Sequence, residues 1–367
     1  MRIVPTKSPL RALIIGTLAG AEGGARAGGT AILLGALIAE LRQRPEVTLR
    51  VLDLSAPAAR PRPWTALLRV FAFIVGMARR LPDVDVVTLH TVTTKLWFTG
   101  GMALVLARLA GRPLLIRKFA GTDYNDFRWM KRTSTRWILA HCDTYLAETK
   151  HLVKVAHERD SIAHCRWFPT HRPLDSPSPQ PGRPRCERFV FIGQVREYKG
   201  LRELVAAAEH QDQAATVDVY GPLFADLPAD LFADRRRITY RGVLHSQDVV
   251  PTLRQYDALI VPTKATTEGY PGAILEAYAA GIPVIATSCG AIPEIVDDTC
   301  GILIAPGDAE ALRQAMQTLC RDPALYLRLC QGARERAQEF SAAHWAAEFL
   351  HYCNEIAGKS RARRTEH

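Results

Sequence analysis

The stretch Pro262–Glu294, PTKATTEGYPGAILEAYAAGIPVIATSCGAIPE, decides how the chain reads. It grows out of DALIVP (Asp257–Pro262), an apolar run of strand length closed by a proline. EGYPGA then sets Gly269, Pro271 and Gly272 where a chain must reverse and a helix must start. Proline suits a first helical turn because its missing N–H has no partner to lose there. The helix AILEAYAA stops at Gly281, with Pro283 just beyond it. IPVIATS is a second buried strand, and CGAIPEIV is expected to open another helix.

Two carboxylates sit oddly in this frame. Glu268 falls in the turn before the helix, and Glu276 falls inside it among Ala273, Ile274, Leu275, Ala277 and Ala279. By frequency alone, both are solvated surface glutamates. Yet the helix is apolar on nearly every side, so it is covered, and a covered Glu276 needs partners. Vicinal hydroxyls would supply them, because one carboxylate can accept from both hydroxyls of a diol. The helix N-terminus between the two glutamates offers free N–H groups and positive dipole to a phosphate. Sugar at one end, ribose at the other and phosphate between is the outline of a nucleotide sugar.

Glu268, seven intervening residues and Glu276, followed by EAYAAGIPVIAT and PEIV, resemble the signature of retaining glycosyltransferases of the GT-B fold, family 4. The resemblance implies that Glu268 faces the donor sugar, as a catalytic residue, and that Glu276 holds the ribose hydroxyls, with Gly269, Tyr270, Pro271 and Gly272 lining the turn between them. It implies an α/β protein of GT-B architecture: two Rossmann-like domains, an interdomain cleft and a C-terminal helix returning to the N-domain. The boundaries expected are 1–174 for an acceptor domain, 187–340 for a nucleotide-sugar domain and 341–358 for the returning helix.

Length and composition agree. A chain of 367 residues is too long for one ordinary core, and 48% hydrophobic content allows two buried sheets. The eight cysteines form no CxxC pair and no metal-ligand spacing, so they read as reduced thiols of a cytosolic protein. MRIVPTKSPLRALIIGTLAGA mimics a signal peptide, but the glycine loop and helix behind it complete a βα unit, which favours a first strand. No apolar run is long and uncharged enough to span a bilayer. Charge is uneven: residues 1–175 carry 26 Lys and Arg against 13 Asp and Glu, whereas the remainder is slightly acidic. That points the N-terminal half toward an anionic partner. With no nucleic-acid motif beside the charge, a membrane surface or a phosphate-bearing acceptor fits better.

The N-terminal half begins strand, loop, helix, strand: RALIIGT, LAGAEGGARAGG, TAILLGALIAELRQ, VTLRVLDLS. The loop is not a GxGxxG dinucleotide fingerprint, which removes the nicotinamide dehydrogenase reading. As bare sequence it serves equally as a linker. The family has a glycine pair just before its first helix, which makes Gly28 and Gly29 candidates for close approach to a ligand. Trp64–Leu81 is a strongly apolar helix closed by Arg79 and Arg80, read as core or as an interfacial helix with snorkelling arginines. VDVVTLH ends a strand at His90, where open α/β sheets place ligands. Relatives carry histidine before the glycine of the next turn, where this chain has Ala120–Gly121; His90 and Asp123 are the candidates for that catalytic role. HCDTYLAETKHLVKVAH supplies the last strand and helix of this half, and RWFPTHRPL reads as the crossing into the linker.

DSPSPQPGRPR (Asp175–Arg185) is that linker. In ERFVFIGQVREYKG the family pattern of glycine, arginine, a gap, lysine and glycine becomes Gly193, Gln194, Lys199 and Gly200. Lys199 is expected to meet the diphosphate; Gln194 lacks the family's charge, and Arg196 stands two residues on as its substitute or as a solvated residue. Asp308 is a helix-cap candidate. Phe340–Ile356 is amphipathic, with Trp345, Phe349 and Tyr352 on one face, and GKSRARRTEH is expected to be a disordered tail.

The activity implied is transfer of a hexose with retention, from a nucleoside diphosphate sugar to a glycan or polyprenyl-linked acceptor, in cell-surface polysaccharide synthesis. No cofactor and no metal are expected beyond the nucleotide-sugar co-substrate. Two other readings are a nucleotide-sugar-binding protein without transfer activity and a sugar-nucleotide epimerase of the same architecture. The location expected is cytoplasmic, peripheral on the inner face of the cytoplasmic membrane, with an anionic membrane surface as partner and no nucleic acid.

Overall fold

The computed structural model describes residues 8–18, 29–55, 63–119, 129–174, 185–211, 214–228 and 230–365, with the side chains of 63–66 and 364–365 left aside. Gly28, Ala120, Gly121 and Asp123 lie outside the described residues. Contacts divide the chain into two units, one of the residues up to Pro169 together with those from Ala342 onward, the other of Thr170–Ser341.

The first unit carries six parallel strands, β1 (Leu10–Gly16), β2 (Val47–Asp53), β3 (Val86–Val92), β4 (Leu114–Phe119), β5 (Thr144–Ala147) and β6 (Cys165–Trp167), in the order β2-β1-β3-β4-β5-β6. β3, β4 and β5 are continuous buried runs rather than alternating ones, as strands covered on both faces must be. One face is covered by α1 (Gly29–Arg42) and α11 (Ala342–Thr365), whose Leu34, Leu37, Trp345 and Phe349 close over Ala12, Ile14 and Leu115. The other face carries α2 (Pro63–Ala78), α3 (Thr93–Leu109), α4 (Trp129–His141) and α5 (Lys150–Glu158) over Leu13, Leu89 and Ile116. The last helix of the chain is thus part of the first unit's core, as the family resemblance implies.

The second unit is built the same way. Its strands are β7 (Arg188–Ile192), β8 (Thr216–Tyr220), β9 (Ile238–Gly242), β10 (Ala258–Val261), β11 (Val284–Thr287) and β12 (Gly301–Ile304), parallel in the order β12-β11-β10-β7-β8-β9. Its helices are α6 (Leu201–Glu209), α7 (Val249–Leu253), α8 (Gly272–Ala280), α9 (Ala309–Arg321) and α10 (Pro323–Glu339). Strand order reverses between β7 and β10, so the turns that follow these two strands flank a crevice at the carboxyl edge of the sheet, where open α/β sheets bind ligands. Both units are Rossmann-like. Asp308 caps α9 by accepting from Ala311 N–H at 2.8 Å, and Asp322 caps α10 through Leu325 N–H.

Four details depart from the sequence reading. No α-helix opens at CGAIPEIV: a single 3-10 turn, Ile292–Glu294, contains Pro293 and then gives way to an Asp297 turn. The Asp297 carboxylate takes Thr299 N–H at 3.0 Å, a bond that competes with helix continuation. β3 runs two residues past His90, which therefore lies inside the strand rather than at its end. RWFPTHRPL is no mere crossing, because Cys165–Trp167 pairs with β5 as a sixth strand. The basic tail is helical to Thr365, held by a Lys359–Glu355 pair one turn apart and by Arg361, whose Nη2 lies 2.9 Å from the Asp85 carboxylate.

Candidate functional site

In the second unit, Lys199 follows β7 and Glu268 follows β10, and Lys199 Nζ stands 2.6 Å from Glu268 Oε2 across the reversal of strand order. The local chain makes this meeting unavoidable. Gly200 adopts φ +78° and starts α6, and a Cβ there would collide with the Pro262 carbonyl, so the lysine turn lies flat on the end of β10. Gly290, φ +55°, presses equally close to the backbone of Glu268, whose carbonyl accepts from Ala291 N–H at 2.9 Å. The carboxylate takes a further bond from Thr263 Oγ1 at 3.2 Å. Glu268 is therefore fixed at its backbone by the turn after β11 and at its side chain by Lys199 and Thr263. Each group is under one-fifth exposed, so solvent reaches the pair without swamping it.

Four residues on, α8 begins at Gly272 with Pro271 as its cap and no capping side chain, so the positive end of its dipole is not met by a side-chain acceptor of the cap. Glu276 sits one turn into this helix. Its partner is Arg172, whose Nε lies 2.8 Å from Glu276 Oε1 with both side chains largely covered. The guanidinium lies over the first turn of α8, close against Gly272, in space that a side chain at position 272 would share. Two ion pairs, Lys199–Glu268 and Arg172–Glu276, thus flank one helix N-terminus. Arg172 was not singled out from the sequence. It is 104 residues from its partner, in the stretch that reads as the crossing into the linker, and no local pattern marks it.

The other proposed residues take varied places. Gly269 is half-buried in the turn. The Tyr270 side chain is buried, donates to Glu294 Oε2 at 2.5 Å and meets Phe340 edge-on, so it braces the turn and does not project into open space. Gln194 accepts from Tyr198 Oη at 3.1 Å. Arg196 is held by Asp226 at 3.3 Å and lies over the Phe224 ring at 4.3 Å, away from the two ion pairs in its contacts. Lys264 pairs with Glu203 at 2.8 Å and with Glu197.

His90 belongs to the first unit. It is 3% exposed, with Nε2 3.2 Å from Thr88 Oγ1 and its ring beside Phe119 and Phe349. Burial, with the nearby Arg117 guanidinium adding to it, pushes its pKa well below the ordinary histidine value, so it is neutral. It lines a cavity of about 550 Å³ with Thr17, Asp53, Lys95, Phe98 and Phe119. Gly29 is the first residue of α1. Among the described residues no group of His, Cys, Asp and Glu is gathered as metal ligands.

Residues 186–322 match the family model described as glycosyl transferases group 1. Among curated proteins, the chain is 28% identical over 158 residues to the D-rhamnosyltransferase WbpZ of Pseudomonas aeruginosa, which covers 42% of each. It is 27% identical over 179 residues to the O-antigen chain mannosyltransferase C of Escherichia coli, covering 47% of this chain and 48% of that one. The chain thus spans under half the length of these relatives. Among solved structures, the sucrose-phosphate synthase of Thermosynechococcus elongatus superposes with a TM-score of 0.73 at 18% identity, over 95% of this chain and 100% of that one. Anabaena HepE in complex with UDP superposes with a TM-score of 0.71 at 14% identity, over 94% and 100%. The chain has the GT-B fold, and its segment 186–322, which holds both glutamates and Lys199, is the part that matches the glycosyl transferases group 1 model.

Proposed function

We propose that the protein transfers a sugar, with retention of configuration, from a nucleoside diphosphate sugar to a glycan or lipid-linked acceptor. The observation that carries this reading is the placement of Lys199–Glu268 and Arg172–Glu276 on either side of the α8 N-terminus, at the strand-order reversal. In transfer, the bond between the sugar's C1 and the diphosphate oxygen breaks and its electron pair leaves with the diphosphate. The acceptor hydroxyl oxygen forms the new bond to C1 and gives its proton to the departing diphosphate oxygen. Charge therefore grows on the diphosphate, where a lysine, an arginine and a helix N-terminus supply fixed positive potential. Glu276 is assigned to the ribose hydroxyls and Glu268 to the hydroxyls of the transferred sugar. Both carboxylates would then exchange a cation partner for ligand hydroxyls when donor enters. The named relatives are a D-rhamnosyltransferase and an O-antigen chain mannosyltransferase, which supports a role in building surface polysaccharide. Incubation with UDP-, GDP-, ADP- and dTDP-sugars tests the reading: one donor should release its diphosphate and give a glycoside of unchanged anomeric configuration.

A further inference from the structure

α2, α3 and α4 lie side by side on one face of the first unit's sheet, with Ile138 of α4 against Gly100 of α3. Their inner sides are core, through Phe73, Met77, Leu96, Leu104 and Ile138. Their outer sides are not polar throughout. Leu67 is 73% exposed, Trp129 70% and Phe71 65%, and Trp97, Leu109 and Trp137 are exposed with them. Large apolar side chains crowded on one solvent face mark a contact surface.

The charge on the same helices is one-sided. They carry Arg69, Lys95, Arg108, Lys131, Arg132 and Arg136, all exposed, and no Asp or Glu. Lys131 Nζ lies 5.5 Å from the Trp97 ring, so base and aromatic are interleaved across two helices. Arg136 also meets Asp160 at 3.7 Å, the nearest acid paired with this set. Among the described residues no helix is long and apolar enough to cross a membrane.

We propose that the α2–α3–α4 face rests on an anionic lipid bilayer, with its tryptophans and leucines at headgroup depth and its Lys and Arg against the lipid phosphates. Charge selects this occupant. A second copy of the same face would set six cations against six others, a juxtaposition that disfavours pairing. A nucleic acid would satisfy the cations but offers no counterpart to Leu67, Leu68 and Leu109. The inference is independent of the donor-site reading, because every residue in it belongs to the first unit.

The test uses the full chain with vesicles of phosphatidylcholine alone or mixed with phosphatidylglycerol. Binding should require the anionic lipid and fall steeply with salt. Lys131→Glu with Arg132→Glu should lower partitioning by more than about 20-fold, at about fivefold for each charge removed. Leu67→Ser with Phe71→Ser should lower it at unchanged salt dependence, and brominated acyl chains should quench tryptophan fluorescence less in Trp129→Phe than in wild type. All of these positions are exposed, so thermal unfolding and nucleotide binding should be unaltered. Equal partitioning onto neutral and anionic vesicles would overturn the proposal, as would undiminished binding by both double variants. A dimer in vesicle-free buffer that those variants dissolve would overturn it in favour of self-association.

Discussion

The Lys199 ammonium and the Glu268 carboxylate meet at 2.6 Å although 69 residues separate them in the chain. Each follows one of the two strands, β7 and β10, between which the sheet reverses its order. The pair places a cation and an acceptor at the strand-order reversal, where open α/β sheets bind ligands, and the predictions about the donor follow from it.

Lys199→Ala should weaken nucleoside diphosphate binding by about 10- to 100-fold, the range of one charge-assisted hydrogen bond, and leave the bare nucleoside almost unchanged. Arg172→Ala should act in the same direction, since its guanidinium covers the first turn of α8. Calorimetry with diphosphate and nucleoside decides. An undiminished preference for diphosphate in both variants would move the phosphate contact elsewhere.

Glu276→Ala should weaken ribonucleotide binding by about tenfold, because one carboxylate that accepts from both ribose hydroxyls is lost. The same variant should discriminate poorly between ribo- and 2′-deoxyribonucleotides, whereas wild type prefers the former. Equal affinity of wild type and variant for the ribonucleotide would remove the ribose assignment.

His90 makes the first unit's stability depend on pH in a definite direction. Its folded pKa lies well below the ordinary value, so below about pH 6.5 the unfolded chain binds a proton that the folded chain refuses. Stability is therefore lost as pH falls, by about 1.4 kcal/mol between pH 7.5 and 5.5 from this residue. Urea unfolding of wild type and His90→Gln across that range should show the variant's slope shallower by this amount. Parallel slopes would mean that His90 is charged in the folded protein.

Asp85 anchors both ends of the first unit. Burial alone would raise its pKa, but hydrogen bonds from the Arg11 side chain and backbone and from Arg361 outweigh burial and hold the carboxyl well below its ordinary range. Its contribution is present above the unfolded carboxylate pKa and lost as pH falls through the depressed folded value. Because both arginines are about half exposed, Asp85→Asn should cost only about 1 kcal/mol at neutral pH. Amide exchange should quicken in the last turns of α11; unchanged exchange there would mean that Arg361 does not secure the helix.

What was legible in the sequence was whatever local chemistry dictates. Gly281 ends α8 in the left-handed conformation, Asp308 caps α9, and the apolar runs became buried parallel strands. Contacts between distant segments were not legible. Arg172 lies in the crossing to the linker and becomes the partner of Glu276, and Asp85, which no local pattern marks, holds Arg361. The tail reads as disordered from its own basic charge, and its order comes from Glu355 and Asp85, outside the tail. Gln194, which lacks the family's charge, takes Tyr198 as its partner, and Arg196, read as its substitute or as a solvated residue, pairs with Asp226.

The central claim is that Glu268 faces the transferred sugar within a working donor site. Steady-state transfer by wild type and Glu268→Gln, with nucleoside diphosphate affinity measured on the same preparations, tests it most directly. The account predicts a fall in kcat of about 100-fold or more, with diphosphate affinity changed by less than a few-fold, since a residue that acts only on the reacting sugar alters turnover and not ground-state nucleotide binding. Equal kcat in the two proteins, or binding of no nucleoside diphosphate by wild type, would contradict it.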